Sequence, residues 1–134
     1  MVYPPSLSGL STREQIADTI VRACLGLDSN NKALWESAWA ADPDIALEIS
    51  GNVMQGMENI NKNCFDGIGP MDTQHLLTSI RINVKEGANM AHMTANALAQ
   101  HYRAGQGQDP NAERMLAGST YDIHAVKEAT GNGR

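Results

Sequence analysis

Apolar positions along the chain fall into a helical rhythm first and a strand rhythm later. From Ile16 they recur through Ile20, Ala23, Cys24 and Leu27 at helical spacing, with Arg13, Asp18 and Arg22 on the side expected to stay wet. Ser11-Thr12-Arg13-Glu14 has the S-x-x-E form of a capping box, so the helix is predicted to start near Ser11, and Gly26 with Ser29-Asn30-Asn31 marks its end. A second short helix is predicted over residues 31–40, burying Leu34, Trp35, Ala38 and Trp39 before Asp42-Pro43 stops it. Its two tryptophans are placed to anchor helix to sheet. After Pro43 a small hairpin is predicted: residues 45–50 as a strand, Gly51-Asn52 as a tight turn, and residues 53–55 as the return. Helical spacing resumes over 56–65 through Met57, Ile60 and Cys64, and Asp66-Gly67-Ile68-Gly69-Pro70 breaks it.

Three long strands follow, over about 73–85, 88–104 and 115–130, separated by the Glu86-Gly87 turn and by a longer loop over 105–114. Helices segregated against a curved antiparallel sheet give an α+β fold, a cone, and not a parallel α/β arrangement. No internal repeat is present. Residues 1–10 are expected to form an N-terminal arm and residues 11–134 a single domain.

Composition narrows the functional classes. A chain of 134 residues suits one domain, which buries roughly two-thirds of the surface its unfolded form would expose. Ten Lys and Arg against fifteen Asp and Glu give a net charge of −5. The basic residues are scattered singly, without the stripe that a phosphate backbone requires, so nucleic acid is not an expected partner. No apolar run is long enough to span a bilayer and the opening residues do not resemble a signal peptide. No membrane association and a cytoplasmic location are therefore expected. Cys24 and Cys64 lack CxxC spacing and read as free thiols, Cys24 in the core.

The candidate chemistry centres on His75, at the opening of the first long strand. Imidazole titrates near neutrality and can both accept and return a proton. Asp28, at the end of the first helix, could fix its tautomer and stabilise the imidazolium. A carboxylate at a helix C-terminus is disfavoured by the macrodipole, so a protonated or partnered Asp28 is expected. The plainer alternative is a hydrogen-bonded strand histidine and an unrelated turn aspartate. His101 shares a strand face with Met93, Ala95, Ala97 and Ala99, which could line a cavity or pack under a helix, and His92 shares the other face with Thr94, Asn96 and Leu98. Ser119 and Tyr121 share a face of the last strand and could hold a substrate oxygen.

Four histidines raise the question of a metal, but no H-x-H, H-x₃-H or H-E-x-x-H spacing occurs, and neither metal nor cofactor is expected. Gly105-Gln106-Gly107-Gln108 lacks the lysine of a P-loop and the third glycine of a dinucleotide fingerprint, and reads as a mobile loop gating a cavity. Met54, Met57, Met71, Met90, Met93 and Met115 read as core filling.

The element order, Asp28 after the first long helix, Thr73-Gln74-His75 at the start of the first long strand and Gln100-His101-Tyr102-Arg103 near the end of the next resemble the SnoaL-like and scytalone dehydratase-like enzymes of the nuclear transport factor 2-like fold. The resemblance implies a His75–Asp28 dyad in a conical cavity. It implies a cofactor-free proton transfer (dehydration, isomerisation or cyclisation) on a hydrophobic, oxygenated, cyclic small molecule of secondary metabolism. His101 matches a second histidine of the dehydratase branch, and Ser119 and Tyr121 match polar residues of its last part. The tyrosines that branch uses to bind a carbonyl match Leu27 and a residue near Leu47, so scytalone itself is not the expected substrate; Leu27, Leu47, Met93 and Ala97 are the expected apolar contacts. Thr78-Ser79 stands where members have Asn. The resemblance also implies a homo-oligomer, dimer or trimer. Family chains continue beyond the turn matching residues 131–133 into another strand, so either that strand is missing here or a neighbouring subunit covers the edge. The competing reading is a non-catalytic small-molecule-binding or oligomerisation module of the same fold.

Overall fold

A computed structural model describes residues 2–128. Helix α1, Thr12–Asp28, begins with the capping box read from sequence: Ser11 Oγ accepts from the Glu14 backbone N–H while the Glu14 carboxylate accepts from that of Ser11. Helix α2, Lys32–Ser37, is shorter than expected: Asn31 is its cap, its side chain accepting from the Leu34 N–H, and the helix ends with Ala38 as its C-cap and not at residue 40. Ala38 and Trp39 follow the helix but still pack on the core. The close approach of α2 to α1 depends on Gly26, where a Cβ would sit 2.6–2.8 Å from backbone and Cβ atoms of Trp35.

The hairpin pairs β1, Ala46–Ile49, with β2, Asn52–Gln55. Its two-residue loop is Ser50-Gly51, one position earlier than expected, and both residues have positive φ, as the favoured hairpin turns require. The third helix, α3, also differs from expectation. It runs Met57–Ile60, passes through a π-helical stretch at Asn61–Phe65, and continues over Asp66–Ile68 instead of stopping at Phe65. Helical hydrogen bonding carries it through Gly67 as far as the turn before Pro70.

Strands β3, Asp72–Asn83, β4, Met90–Tyr102, and β5, Arg114–Val126, form an antiparallel sheet in that order. Each is close to its predicted range; the expected end of the last strand at residue 130 and the turn over 131–133 lie outside the described residues. One extra residue enters β3 between Thr78 and Arg81 and shifts the register against β4. This β-bulge, with Ser79 at φ 56°, reverses which positions of β3 face inward. Before it, His75 and Leu77 pair with the buried Ala99 and Ala97; after it, Ile82 pairs with the buried Met93.

Two clusters form the core. Leu27, Trp35, Met54, Ile60, Cys64 and Phe65 lie at the C-terminal end of α1, and Ile16, Ala91 and Met93 lie under its beginning. Trp35 donates its indole N–H to Asn61 Oδ1 at 2.9 Å and contacts Trp39 and Phe65. Trp35 thus ties α2 to α3, and the same cluster takes in Met54 and Leu47 of the hairpin. The methionines divide: Met54 and Met93 are buried, whereas Met90 and Met115 are exposed. Arg22, expected to be wet, is buried on α1. Asp18 one turn earlier accepts from its Nε at 3.0 Å, and Ser37 Oγ accepts from its Nη1 at 2.9 Å. A charged group this deep is retained because its donors are met. Residues 105–110, expected as a mobile loop, lie within a run of turns, and the Gly107 N–H donates to Asp72 Oδ2 of β3 at 2.9 Å.

Candidate functional site

The last residue of α1 and the first turns of β3 meet where the helix ends over the sheet. Asp28 accepts three hydrogen bonds there: from Thr73 Oγ1 at 2.7 Å, from the His75 backbone N–H at 2.8 Å, and from His75 Nδ1 at 2.7 Å. Thr73 and His75 reach the same carboxylate because alternate residues of a strand share a face. Burial by itself would raise the Asp28 pKa, but the bonds from His75 and Thr73 outweigh it and hold the carboxyl below its ordinary value. An ionised carboxylate accepts only, so the network assigns the proton to Nδ1 of His75 and leaves Nε2 with its lone pair in the neutral ring. Nε2 has no hydrogen-bond partner among the described residues, and the His75 side chain is 6% exposed.

His101, two residues beyond the partner of His75 on β4, presents its ring edge-on to His75, with centroids 5.7 Å apart and planes at 81°. Its Nδ1 is buried without a partner among the described residues, the kind of atom that a water or substrate oxygen would satisfy. Tyr121 pairs with Ala95 on the same inner face. Burial pushes its phenol up to about 12, with Cys24, Cys64 and Asp28 adding to the effect. The phenol thus lies within electrostatic reach of the Asp28 end of the site and stays a hydrogen-bond donor at neutral pH. Cys24, one helical turn before Asp28, is likewise pushed up to about 12 by burial and by Asp28, so its thiol is neutral and inert.

The remaining expected contacts are distributed unevenly. Leu27 is buried beside Trp35 and Ile60, with Leu47 packed against the same cluster. Ala97 lies on the inner face between Leu77 and Ser119, and Ser119 itself is exposed on the edge strand. Met93 is fully buried six residues along β4 from Ala99, among Ile16, Ile82 and Ile123. It packs under the start of α1, away from His75.

Two features escaped the sequence reading. Thr73, quoted there only as part of a motif, binds Asp28 directly; its two-residue spacing from His75 was the available signal. The second is the cluster of His92, Asp122 and His124 on the outer face of the sheet, which depends on cross-strand register and has no signature in spacing along the chain.

The sequence model of a family described as SnoaL-like domain matches residues 8–133. Terrestric acid biosynthesis cluster protein E of Penicillium crustosum is 39% identical over 127 residues, covering 94% of this chain and 80% of that protein. A nuclear transport factor 2-like superfamily protein from Salmonella enterica serovar Typhimurium superposes with a TM-score of 0.74 at 14% identity, over 90% of this chain and 83% of that one. A type 2 hexachlorocyclohexane dehydrochlorinase superposes with a TM-score of 0.68 at 18% identity, over 88% and 76% of the two chains. By its sequence match the chain belongs to the SnoaL-like family, and its fold is similar to that of these nuclear transport factor 2-like structures.

Proposed function

We propose that this protein is a cofactor-free acid–base enzyme that dehydrates, isomerises or cyclises a hydrophobic, oxygenated, cyclic small molecule. His75 moves the proton and Asp28 orients it. The observation that carries this reading is the Asp28 carboxylate, held ionised by three donors, one of which is His75 Nδ1–H. That arrangement presents Nε2 as a base. After it takes a proton from carbon or oxygen, the imidazolium is stabilised by the carboxylate 2.7 Å from its other nitrogen, and it can return the proton to a leaving hydroxyl or to a different carbon. His101 is the second proton carrier or substrate contact, and Tyr121 with Ser119 would hold a substrate oxygen. Leu27, Leu47 and Ala97 supply the apolar contacts in this proposal.

A role in secondary metabolism is supported by the 39% identity to a protein of the terrestric acid biosynthesis cluster. A homo-oligomer is supported by Leu76, Leu98 and Leu116, exposed on the outer face of neighbouring strands. The competing reading, a binding module without chemistry, draws on Leu27 and Leu47, which offer no hydrogen bond to a carbonyl.

The test is a panel of cyclic hydroxyketones and lactones incubated with the protein and followed by mass spectrometry and proton NMR. Loss of water, or an isomer of unchanged mass, is expected with the natural sequence and not with His75→Ala. Tight binding of panel members with no conversion by either protein would favour the binding module.

A further inference from the structure

On the outer face of the sheet, away from the helices, β4 and β5 bring three ligand-bearing side chains together. His92 and His124 are direct cross-strand partners, their rings stacked with centroids 5.0 Å apart and planes 18° apart. Asp122 lies two residues before His124 and therefore on the same face. Its Oδ1 is 2.6 Å from His92 Nε2 and 3.9 Å from His124 Nε2. Ligand atoms from the three residues all lie within 4.8 Å of one another.

We propose that His92, Asp122 and His124 bind one divalent first-row transition-metal ion of the zinc or copper class. Two imidazoles and one carboxylate are a donor set for such ions; magnesium and calcium prefer oxygen ligands throughout. Metal–ligand bonds of about 2.0–2.2 Å place neighbouring ligand atoms of a tetrahedral site roughly 3.3 Å apart, between the two separations found. Binding therefore needs the ion to displace the proton shared by His92 and Asp122, with small shifts of side chains that are 45% to 73% exposed. The backbone positions are already fixed by the β4–β5 ladder, and sites built on strands are held more closely than sites on loops. A single His92–Asp122 hydrogen bond leaves the second imidazole without a part, although His124 stands directly opposite His92 and near the same oxygen. Water would complete the coordination sphere. The chelate would tie β4 to β5, an edge strand of the described sheet, on the face opposite to His75 and Asp28, and is independent of their chemistry.

Zinc chloride titrated into the full chain in a calorimeter, and copper(II) followed by electron paramagnetic resonance, test this directly. One ion per chain is expected, with nitrogen hyperfine structure for copper. His92→Ala and His124→Ala should each weaken binding by at least about tenfold, the scale that even outer-shell changes produce, and His75→Ala should leave it unchanged. Circular dichroism confirms that each variant is folded. Absence of saturable binding, or binding that survives His124→Ala or is lost with His75→Ala, would overturn the assignment.

Discussion

Asp28 stands at the end of α1, where the macrodipole disfavours a negative charge, yet it is held ionised by Thr73 and His75. The partnered alternative expected from sequence is the one the structure contains, and protonation is not needed. Because its pKa is lower folded than unfolded, the stability it contributes is present above the unfolded value of about 3.9 and is lost as pH falls through the folded value. Chemical denaturation measured from pH 7 down to 2 should show this loss in the natural chain, and Asp28→Asn should flatten that limb. An unchanged acid limb would mean that the carboxylate is not held as described. Thr73→Val removes one donor to the same carboxylate. Hydrogen bonds to charged groups contribute about 1.5–3 kcal/mol, and at this partly buried site a loss at the lower end of that range is expected in urea unfolding.

The elements set this geometry through two local devices. The bulge at Ser79 is the more consequential. Ile80, Ile82 and Val84 alternate on even positions while His75 is odd, so an unbroken β3 would place the histidine on the face opposite to Ile82. One extra residue reverses the parity and brings His75 inward beside Asp28. Deleting Ser79 should therefore rotate His75 away from Asp28 or force β3 out of register. Either outcome would be seen as loss of the His75 Nδ1–H resonance in nitrogen-edited NMR; its retention would show that the bulge does not set the face. The second device is Gly26, whose missing Cβ admits Trp35. The contact is with backbone, which cannot swing aside, so Gly26→Ala should cost about 1–3 kcal/mol, as overpacking does, read from the shift in urea midpoint.

At the scale of the whole molecule, periodicity carried most of the architecture. The order of helices, hairpin and three long strands was legible because amphipathic spacing is a property of the chain itself, and the capping box marked the start of α1 in four residues. Where the reading failed, the deciding contact was distant in sequence. Arg22 is buried because Ser37, fifteen residues on, accepts from it, and Trp35 binds α3 because Asn61 offers an acceptor. The third helix continues past its expected break through a π-helical stretch that no spacing announces. Asp28 and His75 were legible as residue types in a recognisable order, but their third partner, Thr73, and the outer His92–Asp122–His124 cluster depend on strand pairing. The expectation of no metal drew on linear motifs, which do not register side chains brought together across a ladder.

The proposed function turns on proton transfer at His75. The most direct test is the turnover number of His75→Gln against the natural chain on the first substrate found, with binding of that substrate measured separately. The replacement keeps polarity near the site while removing the titrating ring. Turnover lower by about 10²–10⁴, the contribution of a positioned acid–base group, with binding and fold retained, is the predicted result. Turnover within a few-fold of the natural chain would contradict the account and leave Asp28 and His75 as a structural hydrogen bond.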